Sequence, residues 1–288
     1  MSTISCPICQ SVQSRLLCRK QGMDIVQCQQ CKTAFVHDIP DGKTLESLYS
    51  EQYFKSDEPS IGYRDYARIS EQKRLTFTKR LKKIERLCPG RRLLDVGCAT
   101  GLFVDIATSR GWTATGMDVS EFAIKEANAH YTGMFMVADL MTADFPTNSY
   151  DTITMFDVIE HVPQPLEVLS RIADLLSDQG LLVIETPNAG GLMAKLMRHR
   201  WPYYRPPEHL FYFSPTSLQV ALKKSRFELL SWNKSVKTMQ VDYIIEMLQL
   251  TNPVLAHILS RMSSISPVFS TRSLNVPTGS FLAFARLT

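Results

Sequence analysis

The chain has no run of 18 apolar residues and no strict glycine period, which excludes a hydrophobic membrane-spanning helix and a collagen-like rod. Charge of one sign is scarce as well. The 32 Lys and Arg against 28 Asp and Glu leave a formal net charge of +4, too small and dispersed to argue by itself for a nucleic-acid partner. The opening residues, MSTISCPICQ, lack the basic and apolar segments of a secretory signal, so a reducing, cytoplasmic setting is expected. What is present, 288 residues at 44% hydrophobic, suffices for one large core or a core with an appendage. The densest basic stretch, Lys73 to Arg92, carries Leu75, Ile84 and Leu87 and predicts an amphipathic helix with a solvated basic face.

Seven cysteines in a reducing compartment call for an explanation other than disulfides. Cys6-Pro-Ile-Cys9 and Cys28-Gln-Gln-Cys31 are two C-x-x-C pairs at a separation that lets four thiolates occupy the corners of a tetrahedron, as structural Zn²⁺ requires. The polar segment between the pairs is too poor in apolar residues to form a core alone, so metal would supply its folding energy. Cys18 lies outside the spacing. The alternative is four unrelated buried or redox thiols.

A linker-like stretch with Pro40, Gly42 and Pro59 follows. The expected organisation is a zinc-binding module at 1–40, a linker with lead-in helices at 41–80, and an α/β domain at 81–288. Within that domain a cap segment falls near 190–215 and a helical insertion near 238–270. From Arg92 short apolar runs alternate with helical patterns, the signature of βαβ units and a parallel sheet. Strands are expected at Arg92–Val96, Thr113–Met117, Met134–Ala138, Asp151–Met155 and Gly180–Glu185, with helices at Leu102–Arg110, Glu121–Tyr131 and Pro165–Ser177. Ser280–Arg286 reads as a closing antiparallel strand.

Leu93 to Gly101 reads as a buried strand running into a glycine turn and a helix. Such strand ends are where open α/β sheets bind ligands, and glycine permits both positive φ and close backbone approach. Asp118 lies further on in Gly116-Met117-Asp118-Val119, at the end of the second strand, where a carboxylate can grip the hydroxyls of a ribose. Together they indicate an adenosine-containing cofactor. The turn lacks the middle glycine of a dinucleotide site, which disfavours NAD. Asp95, inside the strand end, would repel phosphate and suits a cationic or amino-bearing ligand.

Leu94-Asp95-Val96-Gly97-Cys98-Ala99-Thr100-Gly101 resembles motif I of class I S-adenosylmethionine-dependent methyltransferases. Asp118 with Val119 resembles their ribose-binding acid, Asp139-Leu140 the segment near the adenine, and Phe156 to Val162 the fourth-strand motif; Pro187-Asn188 fits the end of the fifth strand. The likeness runs from about Leu81 to Trp232. It implies a Rossmann-like, seven-stranded sheet with helices on both faces, with S-adenosylmethionine held by Asp95, Gly97, Cys98, Gly101, Asp118, Val119, Asp139, Leu140 and Phe156. One departure is Ala99-Thr100, where the family commonly has Gly or Thr and then Gly. The N-terminal cysteines resemble the zinc module of a subgroup of these enzymes acting in glycan, lipid or natural-product pathways.

Methyl transfer needs the acceptor close and aligned, and a hydroxyl acceptor also needs its proton removed. His161, after the fourth strand, and His209, in Arg205-Pro206-Pro207-Glu208-His209, are the candidate catalytic bases. With Asp157 and Glu160 they are also similar to the metal-binding set of small-RNA 2′-O-methyltransferases and ubiquinone-pathway O-methyltransferases, although those families more often show Glu at the place of Asp157. Trp201, Tyr203, Tyr204 and Phe211 to Phe213 either cover an acceptor pocket or form a packed cap. The expected function is methyl transfer to a small molecule or a glycan or lipid precursor at O or N. The alternatives are an RNA 2′-O-methyltransferase-like enzyme and a non-catalytic cofactor-binding protein with a zinc interaction module.

Overall fold

The computed structural model describes residues 5–40, 63–241, 245, 257, 259–261 and 273–288. The expected linker at 41–80 therefore lies in part, and the expected helical insertion near 238–270 in large part, outside the described residues.

Two sheets organise the described chain. The larger one is built from β4 (Arg92–Val96), β5 (Thr113–Asp118), β6 (Met134–Val137), β7 (Tyr150–Phe156), β8 (Leu176–Pro187), β10 (Phe227–Gln240) and β11 (Ser273–Leu287), in the order β10-β11-β8-β7-β4-β5-β6. Strands β4 to β8 are parallel, and β11 runs antiparallel between β8 and β10. This is the expected seven-stranded Rossmann-like sheet. The inner parallel strands β4, β7 and β8 are largely buried on both faces, while β6 at the edge is partly exposed. Leu181 and Val183 pack with Phe103 and Ile106 on one face, while Leu182 and Ile184 pack with Leu169, Ile172 and Leu222 on the other.

Helices α1 (Tyr63–Leu87), α2 (Leu102–Ser109) and α3 (Glu121–His130) serve the first face. On the second lie α4 (Pro165–Leu175) and α6 (Pro215–Lys224). Short-range chemistry sets several of their starts. Ser120 Oγ accepts the Ala123 amide at the start of α3. Ser214 and Ser217 form a reciprocal capping box with Pro215 in the first turn of α6. The basic helix expected at Lys73–Arg92 ends at Leu87, because Arg92 already belongs to β4. Its face is not wholly solvated: the Arg80 side chain is only 10% exposed and pairs with Glu185 at 2.6 Å.

The smaller sheet has the order β1-β2-β3-β9, from β1 (Ser14–Lys20), β2 (Met23–Cys28), β3 (Ala34–Val36) and β9 (Phe211–Tyr212). β9 comes from the segment expected as a cap, so the cysteine-bearing strands and the acceptor-side segment share one sheet. Cys6, Ile8, Val26, Cys28, Cys31 and Phe35 join the same apolar cluster as Leu210, Phe211 and Phe213. The short helix α5 (Leu192–Met197) lies between the two sheets in sequence and buries Ala194 beside Ile25, Val36 and Trp201.

Candidate active site

Because β4 to β8 are parallel, their carboxyl ends bring the expected cofactor residues to one edge of the sheet. The turn after β4 is left-handed at three positions, Gly97 (φ 71°), Ala99 (φ 47°) and Gly101 (φ 85°). Both the Gly97 and Cys98 amides donate to Met117 O at 2.9 Å, which ties the turn to β5. A side chain at Gly97 would place Cβ 2.5 Å from Val158 Cγ2, and one at Gly101 would lie 2.5 Å from Phe135 Cε1. The glycines are thus required by neighbouring side chains, as well as by the expected approach of a cofactor. Ala99 adopts the left-handed region without being glycine, a strained conformation that its surroundings impose.

Asp118 closes this turn from the second strand. Its Oδ2 accepts the Ala99 amide and its Oδ1 the Ser120 amide, each at 2.9 Å. Burial raises its pKa while these amides oppose the rise. Asp95 is buried, and Thr154 Oγ1 donates to its Oδ1 at 2.5 Å. Burial pushes the Asp95 carboxyl up to about 7, so a cation beside it would be stabilised by recovering its negative charge. Val119 and Asp139 are exposed at the same edge and Leu140 is buried. Asp139 Oδ1 accepts the Met141 amide at 2.7 Å. The Phe156 ring packs edge-on against Phe103 with centroids 4.9 Å apart, under the Arg80 guanidinium at 5.1 Å.

Where the sequence places the candidate bases, the structure joins Glu160, His161 and His209, whose ligand atoms all lie within 4.8 Å of one another. The two imidazoles meet edge to face at 4.7 Å. Each Nδ1 bonds to a backbone carbonyl, His161 to Glu208 O at 2.7 Å and His209 to Tyr203 O at 2.9 Å. In the neutral ring this leaves the lone pair on Nε2. Burial, reinforced by His161, pulls the His209 pKa down to about 3, which makes it a weak proton acceptor. Glu160 is buried, takes a hydrogen bond from Thr186 Oγ1 at 2.9 Å on Oε2, and leaves Oε1 without a partner. Burial and the nearby Asp157 hold the Glu160 pKa well above the ordinary carboxylate range.

Asp157, which the family resemblance groups with these residues, is not among those whose ligand atoms lie within that distance. It sits in a left-handed conformation (φ 55°) and retains access to solvent. The surrounding protein and the Glu185 charge raise its pKa to about 7. One further group escaped the sequence reading. Glu185, at the end of β8, takes a hydrogen bond from Ser235 Oγ at 2.6 Å in addition to its pairing with Arg80. The signal that could have found it is a lone acid ending an otherwise apolar run. The aromatic segment is largely a packed cap, with Trp201, Phe211, Tyr212 and Phe213 buried. Tyr203 stacks on His209 at 6.3 Å between centroids and donates its hydroxyl to Thr278 O at 2.8 Å.

The four cysteines also converge. Cys6 and Cys31 Sγ are 3.6 Å apart, Cys9 and Cys28 Sγ 3.4 Å, and the four sulfurs lie within 4.8 Å of one another. A tetrahedral zinc with bonds of about 2.3 Å separates its sulfurs by about 3.8 Å, so the donor set fits that ion.

The sheet order, the glycine turn and the acid closing it define a class I S-adenosylmethionine-dependent methyltransferase. A family described as "Methyltransferase domain" matches residues 66–231, and the chain belongs to it. Among curated proteins it is similar to the ubiquinone biosynthesis O-methyltransferase of Paracidovorax citrulli, at 29% identity over 52% of this chain and 70% of that protein. The protein of the same name from Alkalilimnicola ehrlichii is 34% identical over 34% of this chain, and the match spans only 42% of its length. In fold the chain resembles the magnesium protoporphyrin IX methyltransferase of Synechocystis PCC 6803 with bound SAH (TM-score 0.55, 15% identity, 86% of this chain and 100% of that one). A SAM-dependent methyltransferase from Archaeoglobus fulgidus gives a TM-score of 0.51 at 20% identity, over 74% and 94% of the two chains. No helix among the described residues is long and apolar enough to cross a membrane.

Proposed function

We propose that the chain transfers a methyl group from S-adenosylmethionine to a hydroxyl oxygen of a small molecule or of a glycan or lipid precursor. The observation that carries this reading is the set of Glu160 and two carbonyl-anchored imidazoles at the edge of the sheet that also holds the glycine turn. The acceptor oxygen attacks the methyl carbon as its bond to sulfur breaks, leaving S-adenosylhomocysteine, and the hydroxyl proton passes to His161 Nε2. His209, depressed by burial, orients the neighbouring ring and borders the site. The names of the curated relatives support oxygen over nitrogen as the acceptor atom. Cofactor binding falls to the turn from Gly97 to Gly101 with Cys98, to Asp118 and Val119 at the ribose, and to Asp139, Leu140 and the Phe156 strand end around the base. Asp95 faces the charged part of the cofactor.

An acceptor screen with isotope-labelled cofactor and mass spectrometry tests the reading, with Asp118→Ala as its control. Label is expected on an acceptor oxygen, and the variant should bind the cofactor more weakly by about 1.5–3 kcal/mol, the scale of hydrogen bonds to a charged group. Tight cofactor binding with no transfer to any acceptor would instead favour a binding protein. Wild-type affinity in a folded Asp118→Ala chain would remove the ribose assignment.

A second reading of the acceptor side is favoured by the unpartnered Glu160 Oε1. Glu160, His161 and His209 would hold a divalent cation there, since their ligand atoms lie within 4.8 Å of one another and Glu160 Oε1 is orphaned. Such an ion would supply Lewis-acid polarisation of the acceptor hydroxyl.

For the N-terminal module we propose structural zinc on Cys6, Cys9, Cys28 and Cys31, since four thiolates leave no open position for substrate. Elemental analysis of untagged protein is expected to give one equivalent of zinc, lost in Cys28→Ser. Less than half an equivalent in the wild type, unchanged by the substitution, would remove the assignment.

A further inference from the structure

β9 is two residues long, and a strand of that length has too few hydrogen bonds to persist without a partner. Among the described residues its sheet partner is β3 of the cysteine module, through the pairs Ala34 with Tyr212 and Phe35 with Phe211. The Val36 amide extends the pairing by donating to Leu210 O at 2.9 Å. The Phe35 and Phe211 rings stack at 6.3 Å, and both are buried.

The two ends of this short ladder reach the two candidate sites. At the module end, the Cys28 amide donates to Thr33 O at 2.9 Å and Cys31 Sγ bonds to Thr33 Oγ1 at 3.2 Å, so the residue before β3 is fixed by two of the four cysteines. At the other end, the Leu210 and Phe211 amides both donate to Glu160 O, at 2.8 and 3.0 Å. Tyr212 donates its hydroxyl to His209 O at 2.8 Å. Glu160 and His209 are thereby held, through their main chain, by a strand whose own position depends on the module.

We infer that the four-cysteine module is a positioning element of the acceptor site, with Val36, Phe35 and Tyr212 as its positioning residues. Loading the cysteines fixes β3, β3 fixes β9, and β9 sets where Glu160 and His209 stand relative to His161. The cofactor turn after β4 is tied instead to β5, through Met117 O and Asp118, and does not depend on this ladder. The inference rests on the methyl-transfer and zinc readings above, and its prediction is a split: emptying the module impairs acceptor turnover and spares cofactor affinity.

The experiment uses the full chain in four forms: metal-loaded, metal-stripped by a mild chelator with the metal content measured, and the two metal-loaded variants Val36→Pro and Tyr212→Phe. Val36→Pro removes the amide donated to Leu210 O, and Tyr212→Phe removes the hydroxyl on His209 O; neither replaces one of the four clustered cysteines. Amide hydrogen exchange, calorimetric S-adenosylmethionine affinity and initial rates are read together. Stripping and Val36→Pro are expected to speed exchange at Leu210 and Phe211 while β4 and β5 stay protected. Cofactor affinity should hold within about twofold as kcat falls on the order of 10²-fold, the cost of a misplacement near 1 Å. Tyr212→Phe should lower kcat with the zinc retained. Unchanged exchange at β9 after stripping would overturn the inference. So would a parallel loss of protection in β4 and β5 with loss of cofactor affinity, which would make the module a general stabiliser. If no acceptor is turned over, the methyl-transfer reading fails while hydrogen exchange still decides the coupling. If no metal is bound, the zinc reading fails and Val36→Pro decides it.

Discussion

Replacing His161 by alanine is expected to lower turnover about 10²–10⁴-fold while S-adenosylmethionine affinity stays at the wild-type value. Geometry and exposure both single out this ring of the pair. The Nδ1 bond to Glu208 O directs the lone pair to Nε2, and His161 is half-buried where His209 is buried and depressed to about 3. A base works best with a pKa near the working pH, and burial holds His209 below that range, which makes it the weaker proton acceptor. Initial rates with labelled cofactor, set beside calorimetric affinity, check the expectation. Undiminished turnover, or a loss of affinity that accounts for the whole effect, would contradict it. Glu160→Gln then separates the two acceptor-side readings. If His161 works alone as base, this variant keeps most of its activity and chelation that spares the cysteine zinc changes nothing. If Glu160, His161 and His209 hold a cation, Glu160→Gln falls as far as His161→Ala, and mild chelation abolishes activity until Mg²⁺ or Mn²⁺ is restored.

The features legible in the sequence are those that a short stretch of chain encodes. The run from Arg92 to Ser109 writes strand, turn and helix within one short stretch of chain, and the C-x-x-C pairs write their own geometry in their spacing. His161 and His209 were legible as candidates by residue type and by position after the parallel strands. What escaped depends on partners distant along the chain. Arg80 reads as one more cation on a basic helix until Glu185 meets it from across the fold. β9 has no period to detect at two residues, and its pairing with β3 joins positions that no local pattern relates. Asp157 lies outside the close Glu160, His161 and His209 group and takes a left-handed φ of 55°, a backbone state that residue spacing alone does not report.

Gly97→Val is expected to destabilise the fold by about 2–5 kcal/mol and to abolish measurable cofactor binding. About 1–2 kcal/mol of this arises from forcing an L-residue into left-handed backbone, and about 1–3 kcal/mol from overpacking. The backbone part follows from the φ of 71° at Gly97. The packing part follows from Val158, whose Cγ2 would stand 2.5 Å from the new Cβ. Occupation of cofactor space, the reason the sequence suggests, adds to a clash that exists before any ligand arrives. Neither side can easily yield. Val158 lies between Asp157 and the Glu160–His161 pair, and the turn is held to β5 by two amides on Met117 O. The damage should therefore spread from the cofactor turn to the acceptor side. Urea unfolding checks this through a lowered midpoint at unchanged slope, and Gly97→Ala should show the same direction with a smaller loss. A Gly97→Val chain within about 1 kcal/mol of wild type, the range of an ordinary substitution, would mean that Val158 gives way and that the glycine serves the cofactor alone.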